Sequence, residues 1–332
     1  MACTVVVDGF FGDCGKGKIV SYLAVADDVS VCVRGGVGPN AGHTVVRDGA
    51  TYKLRMVPCG FVNPVTRLLI GPGVTVNPEV LLHEVEQLGV GERLGLDPQC
   101  AIIEQRHIEA DRVGHLAEKI GTTGTGTGPC NADRALRIAK MARDLPELKG
   151  FIADVPAEIN EALDFGEPII VEGTQGTYIS LYHGTYPYVT SKDVCASAIC
   201  SDVGVGPTRV DEVTLVLKSY VTRVGAGYLD GELSAEEAKE QGMDEYGTVT
   251  GRQRRAAPFN FGLARRAAML NGATQIALTK LDVLYKECKG AKDFRELGPE
   301  AIAFVEKIEE EVGVPVTLIG TGPDLNEIID RR

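Results

Sequence analysis

Short β-branched runs, each closed by glycine or proline, recur along this chain and alternate with stretches of helical periodicity. That alternation constrains the fold more than any other feature. A short apolar run bounded by turn residues is a strand buried on both faces, and parallel pairing of such strands needs crossovers long enough to hold helices. The strand candidates are Thr4–Val7, Val31–Arg34, Arg67–Ile70, Ile169–Glu172, Val213–Val221, Gln275–Leu278 and Val316–Ile319. Between them lie helical patterns at Pro78–Leu88 (Asn77 as cap, Pro78 at the first helical position), Ile108–Lys119, Ala132–Ala142, Ala157–Leu163, Gly262–Leu270 and Pro299–Val312. The expected fold class is α/β: a single large domain over residues 1–332, with a mostly parallel central sheet flanked by helices and glycine-rich active-site loops. No linker, low-complexity tract or internal repeat divides it. In open α/β sheets ligands gather beyond the carboxyl ends of the strands, and the glycine-rich loops here follow strand candidates.

The formal net charge is −12. An acidic chain repels nucleic acid and anionic membrane unless a local basic patch intervenes, so neither is an expected partner, and anionic substrates would need few, well-placed cations. Nine cysteines, an odd number without C-x-x-C spacing and mostly in apolar segments, read as reduced thiols of a cytosolic protein. Asp8 and Gly9 end the first apolar run, and no stretch approaches the roughly 20 apolar residues of a membrane span. The expected location is the cytoplasm.

Thr4–Val7 runs into Asp8-Gly9-Phe10-Phe11-Gly12-Asp13-Cys14-Gly15-Lys16-Gly17-Lys18 and then a helical Ile19–Ala24. Backbone N–H groups at such a helix start cradle phosphate, and a lysine neutralises its charge. This is not a standard P-loop: Cys14 occupies the second glycine slot, and Gly17 replaces the hydroxyl residue that would hold magnesium. Asp13 is the carboxylate on hand to replace it. A tight turn with exposed charges is the plain alternative.

Gly12-Asp13-Cys14-Gly15-Lys16-Gly17-Lys18 resembles the GDEGKGK signature of adenylosuccinate synthetases. The resemblance continues through Arg34-Gly35-Gly36, Asn40-Ala41-Gly42-His43-Thr44, Gly121-Thr122-Thr123-Gly124, Glu172-Gly173-Thr174-Gln175-Gly176 and His183–Ser191. It ends with Thr222-Arg223-Val224-Gly225, Thr248–Arg252, Thr279-Lys280-Leu281-Asp282 and Thr321-Gly322-Pro323-Asp324. These blocks stand in family order from end to end and look like a short form of the family.

The resemblance implies a GTP- and Mg2+-dependent ligase. GTP phosphorylates O6 of IMP, and the amino group of L-aspartate displaces the phosphate from 6-phosphoryl-IMP, giving adenylosuccinate, GDP and phosphate. It implies Asp13 as base for the purine N1 proton, with Asp13 and Gly42 as metal ligands, His43 as general acid, Gln175 on O6 and Lys16 on the moving phosphoryl group. For IMP it implies Asp13, Asn40, Thr123, Arg137, Gln175, Thr190 and Arg252. The arginine matching Arg137 comes from the other subunit in the family, so a homodimer is implied; an exposed arginine on Ala132–Ala142 is the alternative. Aspartate falls to Val224, Thr250, Arg252 and Arg254, where paired guanidinium forks suit a dicarboxylate. For GTP the positions are Gly12, Gly15, Lys16, Gly17, Gly42, His43, Thr44, Lys280, Asp282, Gly322 and Pro323. Asp282 would accept from guanine N1–H and the 2-amino group, a donor pair that adenine lacks.

The chain departs from the family pattern at Phe10-Phe11 (usually Gln-Trp), Cys14 (Glu), Gln253 (Arg), Ala257-Pro258-Phe259-Asn260 (Gly-Trp-x-Asp) and Tyr228-Leu229-Asp230-Gly231 (Pro-Phe-Pro-Thr). None of these is a residue assigned to the chemistry. Related phage enzymes use dGMP in place of IMP, and many replace the aspartate matching Asp13, so its retention favours IMP over dGMP. A GTP-dependent switch protein is a further alternative; Gly17 lacks the hydroxyl it would need, and the arginine loop would be unexplained.

Overall fold

The structure, a computed structural model, describes residues 3–247 and 251–332. Nine strands form the central sheet: β1 (Cys3–Asp8), β2 (Val31–Arg34), β3 (Arg67–Ile70), β4 (Leu94–Leu96), β5 (Ile169–Glu172), β6 (Glu212–Lys218), β7 (Gln275–Thr279), β8 (Val316–Gly320) and β9 (Ile328–Asp330). Their order is β9-β8-β7-β6-β1-β5-β2-β3-β4, and only the β8–β9 pair is antiparallel. The strand candidates fall on this sheet because each is apolar on both faces, as a sheet covered by helices requires. Val5 of β1 lies opposite Val213 on one side and Val171 on the other, and all three are buried.

Helices Lys16–Ala26, Val155–Asp164, Ala196–Val203, Phe261–Asn271 and Pro299–Val312 pack against the strands. After β1 the chain builds outward to β4, returns to insert β5 beside β1, then crosses to the other side as β6. The order thus reverses at β1, the kind of switch point where ligands of open α/β sheets bind.

Three expectations need correction. The run Val213–Val221 is two strands: β6 stops at Lys218, and Tyr220–Arg223 pairs antiparallel with Arg255–Pro258 outside the main sheet. Between them the hydroxyl of Ser219 donates to the Lys280 carbonyl at 2.7 Å. The helix expected at Ala132–Ala142 is Thr127–Leu136 instead, ending where Arg137 takes a left-handed conformation with φ 64°. Ile108–Lys119 is broken: a helix runs over Gln105–Asp111, and a wider turn over Leu116–Ile120 follows Gly114, whose φ is 58°. His43 opens a strand, His43–Arg47, paired with Ala50–Leu54. All nine cysteines are buried and unbridged. Among the described residues no helix is long and apolar enough to cross a membrane.

Candidate active site

A cavity of about 760 Å³ opens beyond the carboxyl ends of the strands, walled by the loops after β1, β2, β5, β6 and β7. It is lined by Gly12, Asp13, Gly15, Lys16 and Gly17 from the first loop, and by Asn40, Gly42, His43 and Thr44 from the segment after β2. Thr123, Gln175, Thr190, Val224, Arg252, Arg254, Lys280, Gly322 and Pro323 complete the expected set that lines it. Thr250 lies outside the described residues. Arg137 and Asp282 do not line the cavity. Arg137 is exposed on its own surface, and Asp282 stands two residues beyond Lys280.

The first loop is shaped by Asp8, at the end of β1. Its carboxylate accepts the backbone N–H groups of Phe10 (3.0 Å), Gly12 (3.2 Å) and Cys14 (2.9 Å), and Lys16 Nζ at 3.1 Å. Gly12, Asp13 and Gly15 all take positive φ, so the chain can coil this tightly. At Gly15 a Cβ would press on Thr279 at 3.2 Å, which reserves the position for glycine. Helix Lys16–Ala26 then starts without a side-chain cap. Its first N–H groups therefore have no side-chain cap, the arrangement that suits an anion. Lys16 Nζ also donates to the Gln175 carbonyl at 2.6 Å, tying the first loop to the loop after β5.

A second cluster is buried under the cavity. Glu172, the last residue of β5, accepts from Arg34 Nη1 at 2.7 Å, from His43 Nδ1 at 2.5 Å and from the Cys59 N–H at 2.7 Å. Burial opposes its charge, but Arg34 and His43 outweigh burial and hold the carboxyl down at about 2. Burial first, and the Arg34 guanidinium second, lower His43 to about 4. The resting imidazole is therefore neutral at pH 7. With Nδ1–H given to Glu172, its Nε2 faces the cavity as a buried atom without a partner.

Asn40 Nδ2 donates to Thr190 Oγ1 at 3.4 Å, which brings two residues expected to bind IMP together. Arg252 reaches across the mouth to the carbonyls of Gly121 (2.8 Å) and Thr122 (3.2 Å). Arg254 Nη2 lies 3.1 Å from Asp13 Oδ2, and its Nη1 donates to Glu245. Beside Gly322, Lys18 Nζ donates to the carbonyls of Gly322 (2.5 Å) and Glu327 (2.7 Å). Burial pulls that lysine down to about 8.

Sequence reasoning assigned no role to Asp8, Lys18, Arg34, Glu172, Arg223 or Glu245. Arg34, Glu172 and Arg223 stand inside the quoted motif blocks, a signal that was present. Lys18 closes the first motif block, Asp8 precedes it, and Glu245 carried no signal. Arg223 is buried with its guanidinium 4.6 Å from the centre of the Phe11 ring, and burial lowers it to about 10.

The adenylosuccinate synthetase family profile matches residues 5–151 and 138–289. The chain belongs to the adenylosuccinate synthetase family. It is 58% identical over 333 residues to the adenylosuccinate synthetase of Archaeoglobus fulgidus, covering 100% of this chain and 99% of that one. It is 56% identical over 336 residues to that of Methanocaldococcus jannaschii, covering 100% and 97%. The fully ligated adenylosuccinate synthetase of Plasmodium falciparum superposes with a TM-score of 0.92 at 25% identity, covering 99% of each chain. A cyanophage S-2L succinoaminodeoxyadenylate synthetase, bound to dGMP and dATP, gives 0.82 at 27% identity, covering 99% of this chain and 95% of that one. Membership of the adenylosuccinate synthetase family makes the chain a GTP-dependent carbon–nitrogen ligase of purine biosynthesis, condensing aspartate with IMP.

Proposed function

We propose that Asp13, His43, Gln175 and Lys16 carry the two-step chemistry, with IMP, aspartate and GTP meeting in the cavity described above. One observation carries this reading. Among the described residues, six buried side-chain atoms have no hydrogen-bond partner: Asn40 Oδ1, His43 Nε2, Gln175 Nε2, Arg223 Nε, Arg254 Nε and Asp282 Oδ1. Buried polar groups are almost always paired, so such a concentration marks atoms whose partners are supplied by a ligand. Five of the six residues line the cavity, and the sixth adjoins Lys280.

Their chemistry sorts by subsite. Gln175 Nε2 is a donor suited to the purine O6, and the Asp13 carboxylate, partly exposed to the cavity, is a base for N1–H. As the phosphoryl group passes from GTP to O6, its charge arrives beside His43 Nε2 while Glu172 holds Nδ1. A proton on Nε2 is then stabilised from both sides, and His43 can follow the charge to the phosphate that leaves. Lys16 and the amides at the start of helix Lys16–Ala26 hold the phosphates. Arg252 and Arg254 present guanidinium forks to the dicarboxylate, with the Val224 backbone and Thr250 as further contacts. Lys280, Asp282, Gly322 and Pro323 frame guanine.

Mg2+ fits this donor set, because the Asp13 carboxylate and the Gly42 carbonyl are the hard oxygen ligands it prefers, alongside phosphate oxygens. When bound, it would neutralise charge on the phosphates. The unit would be a homodimer of cytoplasmic, single-domain chains spanning residues 1–332. In support, one continuous hydrophobic core runs from Cys3 to Ile329. Arg137, the arginine offered to the partner's site, sits between Leu136 and Ile138, which are 65% and 62% exposed, an apolar pair suited to burial by a second subunit.

The test is phosphate release from GTP in single turnover, with IMP or dGMP, with and without aspartate. Release requiring IMP and aspartate is the expected result. Release with dGMP alone would move the chain to the phage-type substrate, and release without any purine would reject the ligase site.

A further inference from the structure

Glu245 sits where three subsites meet. Its side chain is nearly buried, and each oxygen is engaged. Oε2 accepts from Lys218 Nζ at 3.0 Å and from Arg254 Nη1; Oε1 accepts from the Tyr220 hydroxyl and lies 3.5 Å from Lys280 Nζ. Arg254 in turn spends Nη2 on Asp13 at 3.1 Å. An unbroken line of charge, Lys280–Glu245–Arg254–Asp13, therefore runs from the guanine side of the cavity to the aspartate side and the proposed base. The backbone strengthens one link, since the Arg254 N–H donates to the Glu245 carbonyl at 2.8 Å.

A structural salt bridge needs one cation per carboxylate. Here Lys218, Arg254 and Lys280 face one glutamate, and only Lys218, fully buried, must have it for its own burial. Lys280 and Arg254 are the two that also face the cavity. A ligand that draws either cation changes how strongly Glu245 holds the other, because the two compete for one carboxylate in a desolvated site.

Resting on the subsite assignment above, we propose that Glu245 is a positioning residue that couples the guanine subsite to the aspartate subsite. It holds the Arg254 fork in place and answers to the position of the Lys280 ammonium. A purine triphosphate that draws Lys280 away leaves Arg254, beside the buried Lys218, with less competition for Glu245, so the Arg254 fork is held more firmly where the substrate carboxylate meets it. Coupling of this kind is reciprocal and amounts to at least about 5-fold in affinity.

The experiment measures the Kd of aspartate by calorimetry on the full chain with IMP and Mg2+, with and without a non-hydrolysable GTP analogue. The unmodified protein is expected to bind aspartate about 5-fold or more tightly with the analogue present. In Glu245→Gln that ratio falls to about 1. Should Glu245→Gln fail to fold, Glu245→Asp keeps a charge for the buried Lys218 while shortening the arm that reaches Arg254 and Lys280. It too should bring the ratio to about 1. A ratio unchanged in either folded variant, or a ratio of 1 in the unmodified protein with both ligands bound, overturns the coupling. Failure of the unmodified protein to bind aspartate or the analogue at all overturns instead the subsite assignment on which it rests.

Discussion

Glu172→Gln isolates what the buried cluster contributes. The carboxylate spends Oε1 on Arg34 and His43 and Oε2 on the Cys59 amide, so every lone pair that counts faces a donor. Glutamine keeps the shape but has one acceptor oxygen. Turned towards Arg34 and His43, its NH2 meets the Cys59 N–H; turned the other way, it meets the guanidinium. In either orientation Arg34, 1% exposed, loses its only ion-pair partner among the described residues. Removing one member of a buried pair costs roughly 3–5 kcal/mol, because the remaining charge stays buried. Urea denaturation at pH 7 should therefore show a large fall in midpoint with an unchanged slope. His43→Asn is the contrast. It leaves Glu172 with Arg34 and Cys59, so stability should fall less, while kcat should fall by about 10²-fold or more, the range for loss of an acid–base group. A Glu172→Gln protein within about 1 kcal/mol of the parent would refute the reasoning, since the scale of a buried-charge penalty would then be absent.

Asp13→Asn, which tolerates the positive φ at this position, should lower kcat by at least ~10²-fold with a far smaller effect on thermal stability, read in a steady-state phosphate-release assay. Asp282→Asn should weaken GTP use by roughly 1–3 kcal/mol and improve xanthosine triphosphate relative to it, checked by kcat/KM for the two nucleotides. Arg252→Lys and Arg254→Lys keep charge but lose the planar fork, so KM for aspartate should rise while KM for GTP stays nearly constant; the reverse would give the loop to the nucleotide. Stability should also fall with acid. His43 binds its proton near 6.5 when unfolded but only near 4 when folded, so its share is intact above about pH 6.5 and is lost as pH falls through 4. That share is about 3 kcal/mol, and Glu172, held near 2, continues the loss in the same sense below 4.5. Denaturation midpoints of His43→Asn should be flatter than the parent's between pH 6.5 and 4.

The central sheet was legible because its strands are short, apolar on both faces and sharply bounded: Val31–Arg34, Arg67–Ile70 and Ile169–Glu172 match their strands end for end. Edges were not. Leu94–Leu96 is interrupted by Gly95, where a Cβ would come within 2.6 Å of Leu69, and Ile328–Asp330 is too short for a pattern. The unbroken apolar run at 213–221 hid a change of sheet, because periodicity does not register a bend between two buried strands. The loop residues of the candidate site were legible through motif blocks. The charges beneath them were not, since Glu172 finds Arg34 and Cys59 across 138 and 113 positions, and local spacing says nothing about pairs so distant.

The departures from the family pattern acquire a physical reading of their own. Phe10 is fully buried, does not line the cavity, and meets Phe259 edge-on at 5.5 Å. Phe10 departs from the pattern, while Phe259 fills its unrestricted position between the departures Pro258 and Asn260 and carries the contact on to Phe304 at 5.5 Å. The departure at Phe10 is thus taken up by an aromatic cluster from a distant segment, as close packing demands when a side chain changes shape. Cys14 is likewise turned inward, its N–H on Asp8 and its thiol pushed well up by burial, so it adds no charge to the phosphate loop. Gln253 is exposed and outside the cavity lining. Of these positions only Phe11 lines the cavity, beneath the Arg223 guanidinium, where its ring face stabilises the cation that burial disfavours. The departures therefore rebuild the support of the site while leaving its polar lining to the residues that the chemistry requires.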